Sequence, residues 1–477
     1  MAIGSEPREA SRQERLGMST RQQETPTRVI TSRDDLIEWI AAGEKPETQW
    51  RIGTEHEKFV FCRKTHEPVP YEGEHGINAL MRGLMDCCGW EPILEENTII
   101  ALKRAFGEPG ATVSLEPGGQ FELSGAPLEN VHQTAAELQE HLVQCERAGH
   151  PLGLGFLGLG FAPSWSLEQS PQMPKQRYKV MTAYMPKVGT LGLEMMYRTA
   201  TIQVNLDFSS ERDMVEKMRL SIALQPLATA LFANSPFTDG RPNGFKSMRS
   251  QIWRHTDNSR TGMLPFVFES AMGYEAYVDY ALNVPMYFVY RAGRYIDVAG
   301  ASFKDFMSGS LIALPGERPT LDDWSDHLTT LFPEVRLKRF LEMRGADGGS
   351  SHMICALSAF WVGLLYDSVS RASAWEIVKD WSEEERQELR DSVPRLALKA
   401  TVRGRGLQTL AREIVEISRE GLKRRNRQNS AGRDEACFLD PLIEIAHTGR
   451  TSADRLLEKY RGPWAGQIDP IFDEAAL

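Results

Sequence analysis

The sequence has no GxxxxGK[ST] loop, no CxxC pair, and no histidines and cysteines at metal-ligand spacing. The first absence excludes a nucleotide cradled by a P-loop, and the other two argue against zinc. Six cysteines (Cys62, Cys87, Cys88, Cys145, Cys355 and Cys437) are scattered over 477 residues. That usage suits reduced, packed thiols in a cytoplasmic protein, not a disulfide framework. No apolar run approaches the roughly 18 residues of a membrane span. The opening MAIGSEPREASRQERLGMSTRQQETPTR lacks the hydrophobic stretch of a secretory signal and reads as disordered to residue 28. There is no excess of basic charge either: the net charge of -10 excludes a dominant nucleic-acid or anionic-membrane surface and leaves small molecules as partners. The basic run at residues 423–427 ends a helical pattern and reads as a solvated terminus.

What is present is acidic and patterned. In residues 51–61, RIGTEHEKFVF, a strand would project Glu55 and Glu57 from one side and Ile52, Thr54, His56 and Val60 from the other. Two carboxylates so placed need a metal ion, an arginine or bulk water between them. Residues 114–124, SLEPGGQFELS, repeat the device with Glu116, Gln120 and Glu122, broken by a Pro-Gly-Gly turn, and FLEMR at 340–344 holds Glu342 and Arg344. Residues 198–208 form the cleanest strand. Its apolar face carries Ile202, Val204 and Leu206, and its polar face carries Thr199, Thr201, Gln203, Asn205 and Asp207, which suits a ligand floor or a solvated surface.

Strand patterns alternate with helical ones at residues 31–43, 77–88, 130–147 and 211–234, and the chain ends in a helical block from residue 355. Residues 181–192 and 236–262 read as loops, 335–344 as one strand, and 345–349 as a tight turn. A formal GxGxxG at Gly153, Gly155 and Gly158 lies inside an apolar strand-like run with no helix opening on it. It reads as a buried strand needing close packing, not a dinucleotide fingerprint. The fold class is α+β, with residues 29–465 as one domain and 466–477 as a tail.

Glu55, Glu57, Glu116, Gln120, Glu122 and Glu342 offer only oxygen donors, the set that hard Mg²⁺ or Mn²⁺ prefers. More carboxylates than one ion needs suggests two or three ions, and such clusters bridge nucleotide phosphates. Arg344, on the face of Glu342, is placed to neutralise charge on a transferred phosphoryl group. The residues alone thus describe a metal-dependent phosphoryl-transfer enzyme.

Long strings, among them RIGTEHEKFVF, EPGGQFELSGAPLENVHQTAAEL, MPKVGTLGLEMMYRTATIQVNLDF, SQIWRHTDNSRTGMLPFVFE and LKRFLEMRGADGG, resemble the plant-type class of glutamate–cysteine ligase, which also occurs in proteobacteria. The resemblance implies a fold like glutamine synthetase: a curved, mainly antiparallel sheet with helices packed on its back. It implies ATP, L-glutamate and L-cysteine as substrates, Mg²⁺ as cofactor, an acyl phosphate intermediate, and the first step of glutathione synthesis. A ligase of the same superfamily using glutamate with another amine is the alternative. By the same resemblance, Glu55, Glu57, Glu116, Glu122 and Glu342, with Gln120 and Gln203, match metal ligands. Arg344 matches a residue of phosphoryl transfer, Arg254 one that grips glutamate, Thr199, Thr201 and Asn205 the site floor, and Trp253 and Tyr197 the pocket walls. Plant members carry disulfides where this chain has Val298, Ala313 and Ala135, so no plant-type redox switch is expected, and a monomer or weak homodimer both stay open.

Overall fold

The computed structural model describes residues 28–104 and 110–477. The expected disorder to residue 28 therefore falls outside the described residues except at Arg28, whose carbonyl accepts from Leu321 N at 3.0 Å.

One nine-stranded antiparallel sheet organises the chain. Its strands are β1 (Ile52–Cys62), β2 (Trp90–Glu95), β3 (Thr98–Arg104), β4 (Thr112–Leu115), β5 (Phe121–Ser124), β6 (Leu154–Leu157), β7 (Thr201–Leu206), β8 (Val335–Leu337) and β9 (Leu341–Asp347). The order across the sheet is β8-β9-β7-β1-β5-β4-β3-β2, and β6 pairs with the far half of β1. β1 is therefore central. Glu55 lies across from Gln203 of β7, and Glu57 across from Glu122 of β5.

The even-numbered side of β1 and β7 faces the core. Ile52, Ile202, Val204 and Leu206 are fully buried, and Thr54 shares a 2.8 Å hydrogen bond with Ser358 of α8 (Ser351–Leu365). That helix is apolar all round and buried on nearly every face, as expected of a helix sandwiched between a sheet and an outer layer. The outer layer there is α9 (Leu407–Arg425), and α6 (Glu211–Leu231) backs β9. The other helices near the site are α2 (Ile77–Cys88), α3 (Val131–Gly149), α4 (Gln176–Val188), α5 (Gly192–Arg198) and α7 (Met248–Trp253). The α+β architecture is as expected.

Within the Gly-rich run at residues 152–161, Leu154–Leu157 form the buried strand β6, as expected, while Gly153 is an exposed turn residue. A Cβ on Gly155 would lie 2.4 Å from the Phe61 ring, and one on Gly160 2.4 Å from Asp347, so these glycines serve close packing. The basic run is spent on ion pairs: Lys423 with Glu420, Arg424 with Asp367 and Arg425 with Glu435.

Five expectations are corrected. Residues 181–192 are mostly helical: α4 continues through Pro186 to Val188, and α5 opens at Gly192. The irregular stretch 236–262 contains the short helix α7, capped by Ser247 accepting from Ser250 N. Residues 335–344 are two strands, because the chain reverses where Lys338 N donates to the Phe340 carbonyl. Beyond the reversal, β9 runs on to Asp347, so 345–349 is not a tight turn. The segment after 465, expected as a tail, docks: Ile471 and Phe472 are buried, and Leu477 N donates to the Phe156 carbonyl of β6 at 3.0 Å.

Candidate active site

On the odd-numbered face of β1, Glu55 and Glu57 join Glu116 and Glu122 in the wall of one cavity, with Gln120, Gln203, Thr199, Thr201, Trp253 and Arg344. Each carboxylate is aimed by neutral donors. Asn205 Nδ2 donates to Glu55 at 2.9 Å, and Thr201 N donates to Glu57 at 3.0 Å. Ser114 and Ser124 donate to Glu122 at 2.7 and 3.1 Å, and the Tyr178 hydroxyl reaches Glu116 at 3.4 Å.

These donors orient the acids without neutralising them. Burial, then the charges of Glu342 and Glu122, raise the Glu55 carboxyl to about 7. Burial and Glu116 raise Glu122 to about 7, and burial with Glu116 and Glu122 pushes Glu57 well above its usual range. Glu116 is also raised, by burial, although Lys175 and Arg177 oppose the shift. Glu57 and Glu122 sit directly opposite on paired strands, an arrangement that destabilises a sheet unless a cation lies between them.

The two glutamines are committed elsewhere. Gln120 Nε2 donates to the Thr199 carbonyl at 2.7 Å and its Oε1 accepts from Gly118 N at 2.9 Å, tying the Pro-Gly-Gly turn to the end of α5. A Cβ on Gly118 would sit 2.2 Å from the Tyr197 carbonyl oxygen, so only glycine permits that approach. Gln203 Oε1 accepts from Arg344 Nη1 at 2.6 Å.

Glu342 lies outside the cavity wall. It is fully buried, and its oxygens are taken by Arg336 Nη2 at 2.5 Å, Lys338 Nζ at 3.3 Å, and Arg344. Burial would raise its carboxyl, but these cations outweigh that and hold it below the usual range. In this geometry Glu342 anchors Arg344 and has no lone pair to spare. Asn205 supports Glu55 from outside the wall, and the Tyr197 hydroxyl shares a 2.6 Å hydrogen bond with Thr182. Arg254 lines a different cleft, where it pairs with Asp391 at 2.9 Å.

Among the described residues, the cations in the cavity wall are Arg344, Arg249 and Arg177. Arg249, on α7, is buried, donates to the Arg344 carbonyl at 2.9 Å, and keeps its Nε without a hydrogen-bond partner. Arg249 was visible in the sequence as one of four arginines along residues 236–262, with nothing in the spacing to single it out. Arg177 carried no signal, because its segment lacks an apolar period. Arg336 was hidden by the unrecognised reversal after β8.

Oxygen donors alone, repelling one another in a buried cavity, fit a hard divalent cation. Among the described residues, however, no three His, Cys, Asp or Glu side chains close on one point. That is the usual situation for Mg²⁺, which takes one or two carboxylates and completes its shell with water and substrate phosphates.

The fold and the acidic cavity define the class first. The architecture is shared with a solved glutamate–cysteine ligase from Francisella tularensis in complex with AMP, at a TM-score of 0.53 and 12% identity over 89% of this chain and 87% of that one, a likeness of fold. Residues 51–474 match the model of glutamate-cysteine ligase family 2, and the chain belongs to that family. It is 55% identical to the chloroplastic glutamate–cysteine ligase of Nicotiana tabacum, over 93% of this chain and 82% of the relative. It is 54% identical to glutamate–cysteine ligase B, chloroplastic, of Oryza sativa subsp. japonica, over 93% and 87%, and 54% to the Arabidopsis thaliana chloroplastic enzyme, over 93% and 82%. These names overturn the expected cytoplasmic location. The scatter of the thiols does not tell one compartment from another.

Proposed function

We propose that the chain joins the γ-carboxylate of L-glutamate to the amine of L-cysteine, driven by ATP with Mg²⁺, as the first step of glutathione synthesis. The convergence of four raised carboxylates and three arginines on one cavity supports this reading. Residues 29–465 serve as one catalytic domain. Glu55, Glu57, Glu116 and Glu122 would hold Mg²⁺, which supplies charge compensation for the nucleotide phosphates. Arg249 and Arg177 grip the glutamate carboxylate remote from the reaction, and Trp253 bounds its pocket. Arg344, held by Glu342 and Gln203, faces the transferred phosphoryl group. The γ-carboxylate oxygen takes the terminal phosphoryl of ATP, giving ADP and an acyl phosphate. The cysteine amine then forms the amide bond, phosphate departs, and the amine loses its proton.

Mass spectrometry after incubation with ATP, glutamate and cysteine should find a γ-glutamyl dipeptide with one ADP per product, and hydroxylamine should trap the acyl phosphate as a hydroxamate. A product formed with ammonia or another amino acid in preference to cysteine would overturn the acceptor.

We assign glutamate recognition to Arg249 in place of Arg254, because Arg249 lines the acidic cavity and Arg254 a different cleft. Arg249→Ala should raise KM for glutamate by about 10–100-fold, the scale of one charge-assisted hydrogen bond. Arg254→Ala should change it by less than about 3-fold, the usual scale for an exposed pair. Steady-state kinetics on both variants checks this.

The raised carboxyls also set a pH dependence. A carboxyl whose folded pKa lies above its unfolded value of about 4.3 favours folding below that value and loses the contribution as pH rises through the folded pKa. For Glu55 and Glu122, both raised to about 7, the metal-free protein loses stability from about pH 4.3 to 7. Bound Mg²⁺ offsets the same repulsion. Saturating Mg²⁺ should therefore raise Tm more at about pH 8 than at about pH 5.5, by calorimetry without substrates. Equal shifts would remove the acid cluster from metal binding.

A further inference from the structure

The six thiols are not evenly placed. Cys87 and Cys88 are the last two residues of α2, after which the chain turns through Gly89 in the left-handed conformation at φ 70°. Their Sγ atoms lie 2.6 Å apart, beyond the roughly 2.05 Å of a disulfide and well inside ordinary contact. Both are half-buried against α3, whose fully buried Cys145 shares a 3.3 Å contact with His141 Nε2 and sits close enough for its charge to act on Cys88.

We propose that Cys87 and Cys88 form a dithiol site for trivalent arsenic. Burial pushes the Cys88 thiol up to about 12, so it stays protonated and is a poor nucleophile towards reagents that attack one sulfur at a time. Two thiols side by side suit a centre that bonds both and carries away their protons. With phenylarsine oxide, two As–S bonds form, the As=O bond is lost, and oxygen leaves as water with both thiol protons. Arsenic stays trivalent, so no oxidant is needed. A direct disulfide between neighbours would close an eight-membered ring that a helical turn does not accommodate; an inserted arsenic enlarges the ring. The site at the end of α2 can adapt, since a last turn is the least restrained part of a helix.

The test uses the native full chain, phenylarsine oxide, and intact mass spectrometry. One phenylarsenic group should bind per chain, survive excess 2-mercaptoethanol, and leave with 2,3-dimercaptopropanol. Proteolysis of the wild-type adduct should place it on the peptide holding residues 87 and 88, which needs no variant to fold. Cys87→Ser and Cys88→Ser should each abolish monothiol-resistant binding, while Cys355→Ser and Cys437→Ser keep it. An adduct mapped elsewhere, resistant binding in either α2 variant, or none on the wild type would overturn the site.

Discussion

Replacing Arg344 by alanine is expected to lower kcat by about 10²–10³-fold, the scale for losing one preorganised charge stabiliser. The guanidinium is fixed from two sides, by Gln203 at 2.6 Å and by Glu342, so it needs no reorganisation as charge develops. Its loss leaves Glu342 paired with Arg336 and Lys338, so circular dichroism and Tm should stay near wild type. Arg344→Lys should recover little, because Nη1 alone holds both Gln203 and Glu342 and a lysine has no second nitrogen left to face the phosphoryl group. Turnover within a few-fold of wild type in the alanine variant would take Arg344 out of the phosphoryl-transfer role.

Glu342→Ala should act on the fold itself. It strips the shared partner from Arg336, Lys338 and Arg344, and Arg336 and Glu342 are both fully buried. Removing one member of a buried ion pair leaves uncompensated charge and costs about 3–5 kcal/mol. Urea unfolding should register that loss, with activity falling alongside it as Arg344 loses its anchor. A variant of native stability with only a changed Mg²⁺ requirement would restore Glu342 as a metal ligand. The two substitutions thus separate the chemistry of Arg344 from the scaffold that aims it.

The acids were legible because strands write their faces with period two. Glu55, Glu57 and Glu122 stand where alternation put them, and of the polar row only Thr199, Thr201 and Gln203 reach the cavity wall, with Asn205 and Asp207 outside it. The cations were not legible, for a different reason in each case. Arg249 and Arg177 sit on helices in stretches with weak apolar periodicity, so nothing marked which arginine points inward. Arg336 reaches Glu342 only because the chain reverses at residues 338–340, and Lys-Arg-Phe carries no Gly, Pro or Asn to announce a turn. Gln120 illustrates the remaining gap: its spacing matched the acids, yet both ends of its amide are engaged by backbone. Spacing gives a side chain's direction but not what already occupies it.

The alternation of β1 also guards against misfolding. Behind Glu55 and Glu57 stand His56 and Lys58, buried on the reverse side, with Lys58 Nζ 3.3 Å from His56 Nδ1. Sliding β1 by a single residue against its neighbours would exchange the two sets. The cavity would then receive an imidazole and an ammonium, and two carboxylates would be driven among the apolar side chains of the core. Because that slipped pairing inverts the sign of the charge on both faces at once, it is penalised twice over, and the strand that carries the acids also polices its own alignment.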